Sequence, residues 1–455
     1  MLDKNMHKNN SGNKRILFII SSYQQYLNYI QAKNLEKISE RLFLIVLPKL
    51  AQMNVDFGIP KERIFPYDYP DRKNTFHRHV FNINTYINRR KHNAFWIRTQ
   101  WFSPRQTRIY KIVSLPILSN LVKFLFLLKA RDSELAEIVR KINPAIILLP
   151  SHAFEGITFE LIGLGKRMGI PTMMITENWD TLHNKTIFTI KPDYLGVWSR
   201  QQIEHAIEVR GMPKDRIFIL GAPKFWDYMK PEAKNQPSPY PFKYALFVGM
   251  SDHFDELSAL KKMDEIIEKR NLGLKIVYRP NVTQHTRNCP DVFFEYDYKH
   301  VVLDIPAKLY YKRSKSWDIA HDHFNPIYYP STDYRVTLLA NMEFMVCAHS
   351  TMILNASLVG KMVYLLAYDD SVHCFGPHWS YKNAGHLFDV ERLGNVRMVK
   401  NFNDMEKIFT LGDELKENIE SLDIGHFIAK EPSANYASNF KSVVDKILSK
   451  HQKPT

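Results

Sequence analysis

Cysteine is scarce in this chain: Cys289, Cys347 and Cys374 are the only three in 455 residues. They are odd in number, far apart and form no CxxC pair. That leaves no disulfide framework and no thiolate metal site to organise a fold, and it suits a reducing compartment. No HExxH motif, no Gly-Lys-Ser/Thr phosphate loop and no Gly-x-Gly-x-x-Gly after the first apolar run is present, which disfavours zinc-site, P-loop NTPase and dinucleotide-fingerprint readings. The Asp-x-Asp pattern that usually carries a divalent cation onto a diphosphate is absent too. No metal is therefore expected, and diphosphate charge would fall to helix ends and to Arg or Lys. Acidic residues are in deficit, 47 Asp and Glu against 62 Lys and Arg, for a formal net charge of +15. Such a balance favours an anionic partner and leaves open whether that is nucleic acid, phospholipid or a charged small substrate. Long apolar runs are missing as well. Ile16 to Ile20 is too short for a signal-peptide core, and Ile112 to Leu128 is interrupted by Pro116, Asn120 and Lys123, so neither secretion nor a membrane span is expected.

What is present reads as a folded body. The sequence is 45% hydrophobic, 13% aromatic and 24% charged, long enough for two or three domains, with polar tails expected only at 1–13 and beyond residue 450. Short apolar runs alternate with helical patterns. Strands are predicted at 16–20, 42–47, 64–65, 145–149, 172–176, 194–198 and 216–220, with helices across 26–41, 132–141, 199–210 and the stretch ending at Met168. After a proline-rich stretch taken as a linker (231–242), a second series follows. It has strands at 244–248, 274–278, 301–303, 344–348 and 362–367, and helices near 256–269, 334–341, 403–409, 413–421 and 437–449. Strand–helix alternation implies parallel sheets, so the fold class is α/β with two Rossmann-like doubly wound domains, 14–230 and 243–432, closed by a helix and tail at 433–455. Between 66 and 130 the rhythm stops, and basic residues such as Arg72, Arg89, Arg98 and Arg105 interleave with Phe76, Trp96 and Trp101. That mix fits stacking on nucleic acid, rings lying at the headgroups of an anionic bilayer, or a solvated helix pair.

Ligands of doubly wound sheets bind beyond the carboxyl ends of the strands, and the polar residues there fall into two sets. In the first half stand Ser151-His152 with Glu155, then Glu177 and Asp180. A carboxylate or an imidazole of this group could take a proton from an attacking hydroxyl. In the second half stand Ser251, Arg279, and His349-Ser350-Thr351 entering a short helix with Asn355. Arg279 offers a fork for phosphate, and the loop offers hydroxyls and backbone N–H groups.

Three stretches then resemble one known group. ENWDTLHNK (Glu177 to Lys185), KPDYLGVWSRQQIEHAIEVRGMPKDRIFILGAPKFWDY (Lys191 to Tyr228) and HSTMILNASLVGK (His349 to Lys361) are similar to motifs of two-domain GT-B glycosyltransferases, particularly bacterial surface-polysaccharide transferases and their CDP-glycerol glycerophosphotransferase relatives. The resemblance implies two domains facing across a cleft, with donor contacts at Ser350, Thr351 and Asn355 and with Arg279 near the phosphates. It also implies a base in the first half: Asp180 is preferred, with Glu177, His152 and Glu155 open. Asn355 stands where many relatives have a Glu, and Arg279-Pro280-Asn281 lacks the His of an Arg-Pro-His-Pro motif, which favours sugar transfer over glycerophosphate transfer. The expected activity is metal-independent transfer from a nucleotide-sugar co-substrate, without a resident cofactor, to a glycan or lipid-linked acceptor of a surface polysaccharide such as capsule or O-antigen. It is placed in the cytoplasm, with peripheral contact at the inner membrane open and nucleic acid not expected as a partner. A nucleotide-sugar epimerase of the same fold, the glycerophosphotransferase, and a nucleic-acid-binding protein using 66–130 are the alternatives.

Overall fold

In the computed structural model the described residues are 14–53, 55–152, 154–250, 254–281, 293–308, 330–409 and 423–451. The expected tail 1–13, the helix predicted at 413–421 and the candidate Ser251 lie outside them. The chain divides into two units, residues 1–223 with 431–455 and residues 224–430.

Unit 1 is built on β1 (Ile16–Ile20), β2 (Leu42–Val46), β3 (Ile64–Pro66), β4 (Ile146–Ser151), β5 (Thr172–Thr176), β6 (Tyr194–Val197) and β7 (Ile217–Ile219). These pair in the order β3-β2-β1-β4-β5-β6-β7, all parallel. Unit 2 uses β8 (Tyr244–Val248), β9 (Lys275–Arg279), β10 (Val301–Leu303), β11 (Phe344–Cys347), β12 (Met362–Leu366) and β13 (Val396–Val399), in the order β10-β9-β8-β11-β12-β13, again all parallel. Parallel pairing needs crossovers that lay helices on both faces of the sheet. That is why β1, β5, β8 and β12 are buried at every position and carry apolar runs rather than alternation. In each sheet the chain adds strands to one side and then crosses to the other, so the topological switch points fall between β1 and β4 and between β8 and β11.

Three expectations change. The helix predicted across 26–41 is a short turn, Tyr23–Gln25, running into a π-helical stretch, Tyr26–Gln31, and then a 3-10 segment, Glu36–Arg41. Lys33, at φ 56, interrupts it with a left-handed residue. β13 carries half-exposed Arg397 and Met398 on an edge and gives no apolar run to predict from. The stretch 231–242 belongs to unit 2: Pro231–Asn235 forms a 3-10 turn, Asn341 Nδ2 donates to Gln236 O at 2.9 Å, and the Tyr240 hydroxyl donates to buried Asp304 at 3.0 Å. The chain passes between the units at 223/224 and 430/431, not through that stretch, and the C-terminal helix belongs to unit 1.

Residues 66–130 form four helices, α1 (Asp71–Asn88), α2 (Asn93–Gln100), α3 (Pro104–Val113) and α4 (Pro116–Ala130). Ser103 opens α3 with a reciprocal capping box to Gln106. Ile83, Tyr86 and Tyr110 make a small core of their own, packed by Phe102, Val113, Val122 and Phe126. Among the described residues no single helix is long and apolar enough to cross a membrane.

Candidate active site

The switch point of unit 1 gathers residues from three strand ends. Gln25, in the turn after β1, is fully buried, and its Nε2 donates to Glu177 Oε2 at 2.7 Å and to Pro150 O at 3.1 Å. Its Oε1 accepts from Ser21 N and Oγ at 2.6 and 3.0 Å, which fixes the amide's orientation. Glu177, buried after β5, then meets His152 Nε2 at 3.2 Å, while Asn178 Nδ2 lies 3.1 Å from His152 Nδ1. With Nε2–H donated to the carboxylate, Nδ1 carries the lone pair. About a third of the His152 side chain is exposed, so the imidazole stands between a buried carboxylate and solvent. Glu155 has a different task. Its carboxylate accepts from Ser151 Oγ at 2.7 Å, His152 N at 2.9 Å and Phe154 N at 3.1 Å, so it holds the loop that presents His152. A cavity of about 220 Å³ opens beside this loop at the ends of β1 and β2, with Ser21, Tyr69, Asn74 and Glu155 in its wall.

Asp180 sits further along, at the N-terminal boundary of a π-helical turn, Thr181–Lys185, whose Lys185 ammonium lies 3.0 Å from its carboxylate. The tryptophan beside it is structural: buried Trp179 donates Nε1 to Gln201 Oε1 at 2.8 Å. Gln202, also buried, accepts from Thr176 Oγ1 and Trp198 N and donates to the Asn178 and Trp179 carbonyls. The ENWD segment is thus locked by the SRQQ run that opens the helix Arg200–Glu208. On its other side α2 closes the turn. His92 Nε2 and His183 Nε2 are 2.9 Å apart, and His183 Nδ1 is 2.6 Å from Asn184 Oδ1. Since His92 Nδ1 accepts from Ala94 N, His92 donates Nε2–H to His183, and both rings are neutral in this arrangement. Arg98 donates to Asn184 O, and Arg210 to the Leu182 and His183 carbonyls. Burial pushes the Arg210 guanidinium down to about 9, with the nearby Arg98 charge adding to the effect, which leaves it protonated at neutral pH.

The switch point of unit 2 is organised differently. The helix that follows His349-Ser350-Thr351 is only seven residues, Met352–Leu358, and Ser350 Oγ accepts from Met352 N at 3.2 Å, a local cap. Arg279, at the end of β9, is ion-paired with Asp304, a fully buried carboxylate that also accepts from Tyr240 and Tyr334. Asn355 is buried and hydrogen-bonds with Tyr228, which lies within electrostatic reach of Arg335 and Arg279. Glu256 ties the loop after β8 by accepting from Met250 N at 2.7 Å and from the Tyr278 hydroxyl at 2.6 Å.

No protein-family model matches this chain, and no curated protein sequence does. Solved structures do match. UDP-GlcNAc 2-epimerase from Neisseria meningitidis, bound to UDP-GlcNAc, aligns over 95% of this chain and 100% of its own, with a TM-score of 0.51 and 12% identity. UDP-GlcNAc 2-epimerase from Methanocaldococcus jannaschii aligns over 95% and 99%, at 0.51 and 11%. The glycosyltransferase of kitacinnamycin aligns over 96% and 99%, at 0.51 and 10%. The fold is GT-B. Nothing in these likenesses points to the glycerophosphotransferase branch.

Within the GT-B frame, the structure brings His152, Glu177 and Glu155 together and places Asp180 on a neighbouring turn. In unit 2 it places His349, Ser350, Thr351 and Asn355 on one loop and helix, with Arg279 on the strand β9. Among the described residues no group of three or more His, Cys, Asp or Glu is arranged to hold a metal. Gln25 was not foreseen as a site residue. Its only sequence signal is the Ser21–Gln25 spacing of one helical turn, just beyond a buried strand. Asp304 gave none, because it follows a three-residue edge strand.

Proposed function

We propose that the chain is a GT-B glycosyltransferase that moves a sugar from a nucleotide-sugar donor to an acceptor hydroxyl in the building of a bacterial surface polysaccharide. The observation that carries this reading is the Gln25–Glu177–His152 relay at the switch point of unit 1. His152 takes the acceptor's proton at Nδ1, in place of the contact to Asn178. Glu177 holds the opposite ring nitrogen and stabilises the imidazolium that forms, and Gln25 keeps Glu177 aimed. The acceptor alkoxide then attacks the anomeric carbon as the nucleoside phosphate leaves. The cavity beside Glu155 is the acceptor seat, and His349, Thr351 and Arg279 belong to the donor half. Asp180, paired with Lys185, shapes the acceptor loop.

Thermal melts against UDP-, CMP- and GDP-sugars test the donor: one nucleotide class should raise Tm, because a ligand that binds only the native state stabilises it by mass action. Failure of every class to protect would overturn the reading. A second reading, a nucleotide-sugar epimerase, draws on the structural neighbours, several of which are UDP-GlcNAc 2-epimerases. An epimerase alters its sugar with no acceptor present, so incubation with the protecting nucleotide sugar alone, followed by analysis of the sugar, separates the two.

A further inference from the structure

Between Asp71 and Asp132 the sequence has no acidic residue and thirteen Lys or Arg. The rest of the chain therefore holds 49 basic against 47 acidic residues, so nearly all of the +15 charge resides in this segment. The same segment carries an apolar face turned to solvent. In α4, Ile117 is 89% exposed, Leu121 55%, Phe124 56% and Leu128 42%, spaced at i, i+4, i+7 and i+11 along one side of the helix. The opposite side is engaged: Ser119 and Ala130 are buried, Phe126 stacks on Phe76 and His79 of α1, and Val122 joins the small core. Ile112 of α3 and Leu115, at the break before α4, extend the exposed face across a bend of 106°. Arg105, Arg108, Lys111 and Lys129 are exposed on the same two helices.

We propose that α3 and α4 form a docking surface for an anionic phospholipid bilayer, lying in the plane of its interface. Fifteen residues give α4 roughly 22 Å of length, short of the roughly 30 Å a hydrocarbon core demands, and its inner face is packed on α1, which rules out a spanning pose. An aliphatic ridge with Lys and Arg on the same helices is the composition of an interfacial helix, whose apolar side enters the headgroup boundary while the cations meet anionic lipid. A second copy of the chain is disfavoured as occupant, because the exposed Arg105, Arg108, Lys111 and Lys129 of two such faces would meet. Nucleic acid would satisfy the cations and leave the ridge in water. The inference stands apart from the proposed reaction.

The test uses the full chain and vesicles of phosphatidylglycerol mixed with phosphatidylcholine, against phosphatidylcholine alone, read by co-sedimentation. Binding to the anionic vesicles should be at least about tenfold tighter and should weaken with salt. The triple variant Ile117→Glu, Leu121→Glu, Phe124→Glu changes only exposed positions. It should keep the wild-type circular dichroism and melting curve and lose binding at least about tenfold. Arg105→Glu with Arg108→Glu should weaken binding to anionic vesicles without involving the ridge, which keeps the test open if the triple variant misfolds. Absence of wild-type binding, or equal binding by both variants and wild type, overturns the proposal. So does self-association in sedimentation that the triple variant abolishes without any vesicle binding, or salt-sensitive RNA binding in its place.

Discussion

The two sheets share a strand order and differ in what they place at the switch point. In unit 1 a buried amide orients a buried carboxylate, and that carboxylate holds a histidine reaching solvent. In unit 2 the corresponding polar groups are mostly engaged with their own surroundings: Ser350 on a helix amide, Arg279 on Asp304, Asn355 on Tyr228. One topology thus supports two kinds of site. In the proposed reading, unit 1 presents a proton acceptor that is held and aimed, as acid–base chemistry needs. Unit 2 presents a stiffened loop, as recognition of a ligand's fixed shape needs.

The largest expected consequence is at His152. His152→Ala should lower kcat by about 10²–10⁴-fold, or about 3–5 kcal/mol, while nucleotide-sugar protection in thermal melts persists. Turnover near wild type would remove the contrast between the units. Next comes acid sensitivity of unit 1. His77 in α1 is buried between Tyr69 and Phe159, and among the described residues neither ring nitrogen has a hydrogen-bond partner. Burial lowers its pKa to about 4 from 6.5. Below pH 6.5 the unfolded chain takes up a proton that the folded one refuses, so stability falls between about pH 6.5 and pH 4 and then levels. The loss is on the order of 3 kcal/mol from this group. His77→Leu should flatten that part of the stability–pH curve in urea titrations. A smaller effect is expected in unit 2, where Arg279→Lys gives up the fork that Asp304 orients and should weaken nucleotide-sugar binding about tenfold with kcat little changed. Smallest is Asp180→Asn, which removes a partly exposed ion pair with Lys185 and a charge near Arg98, and should cost no more than about threefold in kcat. A loss of about 10² there would move the base from His152 to Asp180.

Much of this architecture was legible because buried parallel strands write themselves as apolar runs: twelve of the thirteen strands among the described residues have a counterpart in the pattern, and β13 escaped by its half-exposed edge. The candidate site was legible in membership and not in hierarchy. His152, Glu155, Glu177 and Asp180 all stand at strand ends; Glu155 and Asp180 are engaged by near neighbours, but that His152 is held by Glu177, and Glu177 by Gln25, depends on contacts across 25 and 152 residues that no local spacing encodes. The basic aromatic segment was legible as an anomaly. Its division into an inner part, where His92 and Arg98 close the WDTLHNK turn, and an outer apolar ridge needed the helices in place.

The return of the chain to unit 1 after residue 430 sets an order for biosynthesis. Gly221 adopts φ +82, and a Cβ there would lie 2.5 Å from Ser433 N, while Ala222 N donates to Ser433 Oγ at 2.9 Å and Asn439 Nδ2 reaches the Ile219 carbonyl at 3.0 Å. Lys14, at the other end of the chain, reaches the Leu448 carbonyl. These seams draw on residues that leave the ribosome only after all of unit 2. Unit 2 is a continuous segment and can finish folding during synthesis, whereas unit 1, though begun first, waits with its β7 end open until the helix Tyr436–Lys450 is released.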